Sequence, residues 1–227
     1  LNGLIANDCV EWISSMTYQA ASGAGAKNMI ELLNQMKFLG DSAHALISNG
    51  ESITEIDRKV SESLSHSHFP KEHFNFPLAG NLLPWIDVPV EYGMSKEEWK
   101  GMTETNKILN KKDLLPIDGT CVRIGAMRSH SQALTIKLKA DIPIDEINQM
   151  INDANEWVNI VENSREKTLQ ELTPASTSGT LKIPVGRVRK MKMGNDYLNA
   201  FTVGDQLLWG AAEPLRRMVN IIGDFKR

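Results

Sequence analysis

The chain has 227 residues, 41% of them apolar and 23% charged, an ordinary mixture for one large globular domain or two small ones. Its 25 Lys and Arg against 28 Asp and Glu leave a net charge of −3, which excludes a broad electrostatic attraction to nucleic acid or to an anionic membrane surface. No apolar run approaches the ~20 residues that span a bilayer, and two cysteines, Cys9 and Cys121, make no disulfide framework, as expected of a reducing, cytoplasmic setting.

Residues 1–8 (L-N-G-L-I-A-N-D) read as the end of a helix that begins upstream, stopped by Asn7 and Asp8, as in a cut protein. Residues 10–18 are mixed and β-rich, which predicts a strand. The stretch T-Y-Q-A-A-S-G-A-G at 17–25 is the most informative of the chain. The strand stops at polar Gln19 and opens through small residues into a helix. That gathers one side-chain amide and several backbone N–H groups at a single point, as a substrate or phosphate site requires. Residues 24–38 carry Ala26, Met29, Ile30, Leu33 and Met36 at helical spacing, an amphipathic helix on that stripe. Residues 52–64 predict another on Ile53, Ile56, Val60 and Leu64, opened by a capping box of Ser52 and Glu55 and supported by a Glu55–Lys59 pair.

Residues 66–93 hold Pro70, Pro77, Pro84 and Pro89 and read as a long irregular connection. Ser95 and Glu98 form a second capping box, starting a helix through about residue 109. Residues 120–139 are strand-like, and L-T-I-K-L-K at 134–139 alternates between a buried and a wet face. A short helix follows at 144–154, then strands at 185–193 and 197–203. Residues 204–222 close the chain as a helix with Leu208, Ala211, Leu215, Met218 and Ile222 in one stripe, read as core. The fold class is therefore α+β, a mixed, mostly antiparallel sheet with flanking helices. No regular βαβ alternation and no G-x-G-x-x-G after a strand is present, so most of any dinucleotide site lies outside these residues.

Several side chains carry possible chemistry. The planar fork of Arg123 suits a carboxylate; an exposed strand arginine is the ordinary alternative, and Arg128 competes. His130 titrates near neutrality and suits a general acid/base, although a lone strand histidine is more often structural. Arg123 and His130 are an odd number apart, so a continuous strand would place them on opposite faces, and their convergence needs a bulge or bend near Gly125. Glu97 and Lys100 share a helix face, but so do Glu104 and Lys107, and periodicity cannot choose between the pairs. His66, His68 and His73 lack a supporting ligand pattern, so no metal is expected. Cys9 and Cys121 read as small apolar thiols rather than nucleophiles.

The blocks T-Y-Q-A-A-S-G-A-G-A, F-P-L-A-G-N-L-L-P-W-I-D, E-E-W-K-G-M-T-E-T-N-K-I-L, P-I-D-G-T-C-V-R-I-G-A-M-R-S-H-S-Q-A, L-T-P-A-S-T-S-G-T-L and F-T-V-G-D-Q-L-L-W-G-A-A-E-P-L-R-R together resemble the catalytic and dimerisation half of bacterial aspartate-β-semialdehyde dehydrogenases. The resemblance runs from near residue 1 to about 218 and is weak at 39–51 and 61–75. It implies a C-terminal domain like that of glyceraldehyde-3-phosphate dehydrogenase, with 1–203 as catalytic and dimerisation domain and 204–227 as a helix packing toward a nucleotide-binding domain. The implied reaction interconverts β-aspartyl phosphate and aspartate semialdehyde plus phosphate with NADP, in lysine, threonine and methionine biosynthesis, by a homodimer. By resemblance, His130 is the acid/base; Gln19, Glu97 and Arg123 bind substrate; Lys100 binds phosphate; and Ser22, Gly23 and Gln206 touch the cofactor. The family's nucleophilic cysteine, in a G-N-C-T motif, and its Rossmann-type domain lie upstream of residue 1, so these residues alone are expected to be inactive.

Two other readings stand beside this one. A free-standing homodimerisation module would use the apolar face of Ile136 and Leu138 or of the 185–203 strands. A related acyl-phosphate or aldehyde reductase is opposed by E-E-W-K-G and Q-A-A-S-G.

Overall fold

The structure, a computed structural model, describes residues 1–110 and 113–225. Its centre is a seven-stranded sheet in the order β2-β3-β1-β4-β7-β6-β5. β1 (Val10–Gln19) and β3 (Ile117–Ile124) run parallel, as do β5 (Val158–Ile160) and β6 (Ile183–Met191). The remaining pairs, which add β2 (Leu82–Leu83), β4 (His130–Leu138) and β7 (Gly194–Gly204), are antiparallel. The sheet is thus mixed and mostly antiparallel, and the fold is α+β.

The segment expected as one strand-like stretch is two strands. β3 ends at Ile124, residues 125–129 turn across the end of β1, and β4 begins at His130. Because β1 lies between them, the chain reverses instead of bulging near Gly125.

Alternation gives the sheet two unlike faces. On one, Ile13 of β1, Leu134 and Ile136 of β4 and Leu198 of β7 pack with Ile147 and Ile151. The last two belong to α5 (Ile144–Asn152), and α1 (Asn2–Ala6) adds Leu4 and Ile5. Ile136 and Leu138 are fully buried here, so they offer no face to a second copy. The other face carries Trp12 against Tyr197 edge-on and Tyr18 stacked on Phe201. Met16 between them remains 38% exposed.

α2 (Ala26–Ser48) ends ten residues beyond where the sequence stripe suggested, and the stripe faces outward: Ile30 is 60% and Leu33 51% exposed. The inward face is Glu31, Leu32 and Gln35. The reason lies in the irregular connection. Gln35 Oε1 accepts from the Leu78 and Ala79 N–H groups at 2.7 and 2.9 Å, and its Nε2 donates to the Pro70 carbonyl at 2.7 Å. Glu31 accepts from the His73 and Phe74 N–H groups. A segment with little regular structure must find partners for its backbone donors, and two polar side chains of α2 supply them. α3 (Ile53–Leu64) starts at the Ser52 cap, but Glu55 pairs with Arg58 rather than Lys59.

α4 (Lys96–Leu109) opens with both bonds of the Ser95/Glu98 capping box. Two further short helices, α6 (Arg165–Glu171) and α7 (Pro174–Thr177), and strand β5 are elements that the sequence pattern missed. The tail is helical from 206 onward with a wide turn at Leu208–Ala212, followed by α8 (Glu213–Phe225). Its stripe is not core. Leu215, Met218 and Ile222 are exposed. Among the described residues no helix is long and apolar enough to cross a membrane.

Candidate functional site

The site forms where β1 ends. Register pairs Gln19 with Arg123 on one side and Tyr18 with Ser131 on the other. Gln19, Arg123 and His130 therefore stand in one row on the helix-covered face, because paired strand residues point the same way. Parity along a single strand does not apply to residues on two strands that flank a third.

Arg123 is buried, and its Nη1 donates to the Ala20 carbonyl at 2.8 Å. Burial lowers its pKa, which the nearby Glu97 charge partly opposes. Arg123 has no ion pair within salt-bridge distance among those described, although a buried guanidinium ordinarily has a carboxylate to offset its desolvation. An anionic ligand would supply that partner. Arg128, its competitor, is engaged by Asp205 at 2.7 Å.

His130 accepts a hydrogen bond at Nδ1 from the Ala20 N–H, 3.1 Å away. A neutral ring so held carries its proton on Nε2. Burial, and then the Arg123 charge, push the pKa of His130 down to about 4, against smaller pulls from Glu97, the Ser129 backbone and Asp205. At neutral pH the ring is uncharged, with Nε2–H beside Gly23.

Gly23 explains how these two groups come together. A Cβ at this position would lie 2.8 Å from Arg123 Nη1 and 2.8 Å from His130 Nε2. The two nitrogens thus pack together against the glycine backbone, closer than any side chain there would allow. Ser22 beside it is buried, and its hydroxyl donates to Gln206 Oε1 at 2.8 Å. The sequence suggested a cluster of free backbone donors here. Instead the Ala20 N–H goes to His130, those of Ala21 and Ser22 to the carbonyls of Ala126 and Met127, and that of Gly23 to Ala20. This turn fixes side chains and is not itself an anion cradle.

α4 closes the other side. Glu97 Oε1 accepts from Gln19 Nε2 at 3.2 Å, and its Oε2 accepts from Lys100 at 3.1 Å. Lys100 also meets Asp87 at 3.6 Å. Its pKa is raised, chiefly by the Glu97 hydrogen bond. Glu104 and Lys107 are exposed and lie farther along the helix, and it is Glu97 of the first pair that meets Gln19. Glu98 pins α4 in place: besides capping the helix, its Oε1 accepts from the Cys121 N–H at 3.1 Å, on the β3 edge. Asp87 and Asp205 were not singled out from the sequence, and Glu98 was read only as a helix cap. Asp205 had a local signal, an acidic residue just before a helical run, and Asp87 had none.

Neither thiol serves the site. Cys9 precedes β1 at the end opposite Gln19, roughly 33 Å away at ~3.3 Å per residue. Cys121 is buried with its pKa raised by burial, which disfavours the reactive thiolate. Cys121 lines, with Thr17 and Gln132, an apolar cavity of 520 Å³ under α4. This cavity lies one row below Gln19, Arg123 and His130, and none of those three lines it. No group of three or more His, Cys, Asp or Glu placed to hold a metal occurs among the described residues.

Residues 1–209 match the family model described as semialdehyde dehydrogenase, dimerisation domain. Among solved structures, the chain is similar to the aspartate semialdehyde dehydrogenase of Francisella tularensis, with 49% identity and a TM-score of 0.92 over 98% of this chain and 60% of that one. Aspartate semialdehyde dehydrogenase II of Vibrio cholerae, complexed with ASA, shares the fold at 24% identity and a TM-score of 0.74, over 98% of this chain and 58% of that one. The Candida albicans enzyme with NADP shares it at 13% identity and a TM-score of 0.53, over 92% of this chain and 49% of that one. The chain thus spans about 60% or less of these relatives' lengths.

Proposed function

The chain belongs to the semialdehyde dehydrogenase family through its dimerisation domain, and on that premise we propose that it is the substrate-binding and acid/base half of an NADP-dependent aspartate-semialdehyde dehydrogenase. The observation that carries the reading is the meeting of Arg123 Nη1 and His130 Nε2 against Gly23, with Gln19 in the same row and bonded to Glu97.

In this reading the substrate is a small zwitterion held through opposite charges. Arg123 takes its α-carboxylate in a bidentate grip and gains the anion it lacks. Glu97 takes its ammonium, oriented by Gln19, and Lys100 meets the phosphate. The nucleophilic thiol belongs to the upstream part that the resemblance implies. His130 donates Nε2–H to the carbonyl oxygen as negative charge develops there, which an uncharged ring can do at neutral pH. The uncharged ring supplies a hydrogen bond rather than full transfer, because loss of Nε2–H would leave an imidazolate.

Ser22, Gly23 and Gln206 fit the nicotinamide end of NADP. The glycine leaves a flat surface beside His130, and the Ser22 hydroxyl and Gln206 amide are polar groups at its margin. NADP supplies or accepts the hydride when bound. The remainder of the cofactor site, and the partner of the exposed α8 stripe, belong to the nucleotide-binding part.

Homodimerisation is assigned to the open part of the sheet face at Trp12, Met16 and Tyr18, beside which Phe201 already packs on Val161, Leu172 and Val203. That face also favours a second reading, in which residues 1–203 associate without catalysis. Joining the chain to an upstream nucleotide-binding domain of the family separates the two. The enzyme reading expects phosphate-dependent reduction of NADP by aspartate semialdehyde, abolished by Arg123→Ala. A joined protein that dimerises but shows no turnover leaves only the module.

A further inference from the structure

Lys100 stands between two carboxylates that are not equivalent. Glu97 is its neighbour on α4 and divides its oxygens between Lys100 and Gln19. Asp87 comes from a separate segment, the connection between β2 and α4. Its Oδ1 accepts from the Val88 N–H at 2.8 Å, and its Oδ2 faces Lys100 at 3.6 Å.

The connection is tied to the start of α4. The Lys96 N–H donates to the Val88 carbonyl at 2.8 Å, and Pro89 pairs with Ser95. The Trp85 indole donates to the Asp87 carbonyl at 2.8 Å. Asp87 itself has a φ of 72°, a left-handed conformation that Asp and Asn tolerate better than most residues. A carboxylate is thus built into a fixed place beside Lys100, where both side chains are about one third exposed. An incoming phosphate meets it there as a like charge seeking the same ammonium.

We propose that Asp87 is an internal competitor for the phosphate place: its carboxylate occupies Lys100 in the unliganded site and gives up that contact when inorganic phosphate arrives. The proposal rests on the reading of Lys100 as the phosphate-binding group. Asp87 then sets phosphate affinity without touching the reacting atoms. It keeps Lys100 charge-balanced when the site is empty and makes phosphate binding weak and reversible.

The test titrates inorganic phosphate into the chain at constant ionic strength, held with chloride, and follows the Trp85 indole ¹H–¹⁵N signal. Asp87→Asn retains the acceptor for Val88 and a residue suited to the left-handed backbone, so the loop is kept while the charge is removed. Wild type should bind saturably, Lys100→Met should lose binding, and Asp87→Asn should bind about three- to fivefold more tightly, the scale of a partly exposed ion pair. If Asp87→Asn binds no more tightly while Lys100→Met still loses binding, the competitor role is overturned and the Lys100 reading survives. If Lys100→Met binds like wild type, or no protein binds saturably, the phosphate reading fails and the inference falls with it.

Discussion

Arg128 and Asp205 are locked together, Nε to Oδ1 at 3.0 Å and Nη2 to Oδ2 at 2.7 Å. Asp205 is fully buried and also accepts from the N–H groups of Gly179 at 2.6 Å and Leu207 at 3.1 Å. Burial alone would raise its pKa, but the Arg128 and backbone hydrogen bonds outweigh that and hold it below the usual carboxylate range. One carboxylate thereby joins the β3–β4 turn, the end of α7 and the start of the tail helix, next to His130 and Gln206.

This arrangement predicts unequal costs. Asp205→Ala leaves a guanidinium and several N–H groups without their acceptor and should destabilise the chain by about 3 kcal/mol. Arg128→Ala leaves the carboxylate its backbone donors, and the arginine side chain is one third exposed, so its loss should cost about 1 kcal/mol. Urea unfolding of the two variants checks the order. Equal losses would show that Asp205 is held chiefly by the ion pair.

The burial of His130 carries a pH signature. Its folded pKa is about 4, against ~6.5 unfolded. The unfolded chain therefore takes a proton that the folded one refuses as pH falls below 6.5. The stabilising contribution of the neutral ring is complete above that value and is lost between about 6.5 and 4, up to about 3 kcal/mol by linkage. Stability measured from pH 7.5 to 4 should fall more steeply in wild type than in His130→Gln. Parallel curves would mean that the ring titrates in the folded chain at its ordinary value.

What the sequence revealed depended on whether the physical cause was local. The Ser95/Glu98 capping box is a four-residue signal, and both of its bonds form. The alternation of 134–138 identifies a half-covered strand because one partner face suffices to produce it. The stripe on α2 misled because Glu31 and Gln35, polar by type, are buried to serve a loop some 40 positions away, which no helical period encodes. The tail stripe misled in the same sense, being apolar but uncovered within this chain. Around the site, the proximity of Arg123 to His130 was not legible from spacing, since it arises from two strands flanking a third. Family resemblance named the residues, and their roles remain the proposal made above.

Gln35 should be one of the more sensitive positions in the helical layer. It is fully buried and satisfies two N–H donors and one carbonyl of the 70–79 segment. Gln35→Leu fills the same volume but leaves those groups without partners, at about 2–4 kcal/mol. Hydrogen exchange at Leu78 and Ala79 should accelerate strongly in this variant while β1 amides change little. Unchanged exchange would mean that the loop is held by its apolar contacts alone.

Gly23→Ala should damage function without damaging the fold. The added methyl enters the space shared by Arg123 Nη1 and His130 Nε2, yet Gly23 is exposed and needs no left-handed backbone. In the protein joined to its nucleotide-binding part, kcat/KM should fall about 100-fold, the scale of losing one well-placed donor, with the melting temperature nearly unchanged. Full activity in this variant would place the reacting groups elsewhere.

Met16→Lys separates the two faces of the sheet. Met16 lies on the uncovered side, between the Trp12–Tyr197 and Tyr18–Phe201 ring pairs. Its side chain supports none of the core beneath the other face, so a lysine there leaves folding intact. Across a two-fold interface each copy would bury the new charge without a partner, at several kcal/mol. Sedimentation should show the variant as monomer at concentrations where wild type is dimeric, with unchanged circular dichroism. Ile30→Lys, on the outward stripe of α2, is the control and should leave association as it was. If Ile30→Lys dissociates the dimer and Met16→Lys does not, the two copies meet through the helical layer, and the open sheet face needs another occupant.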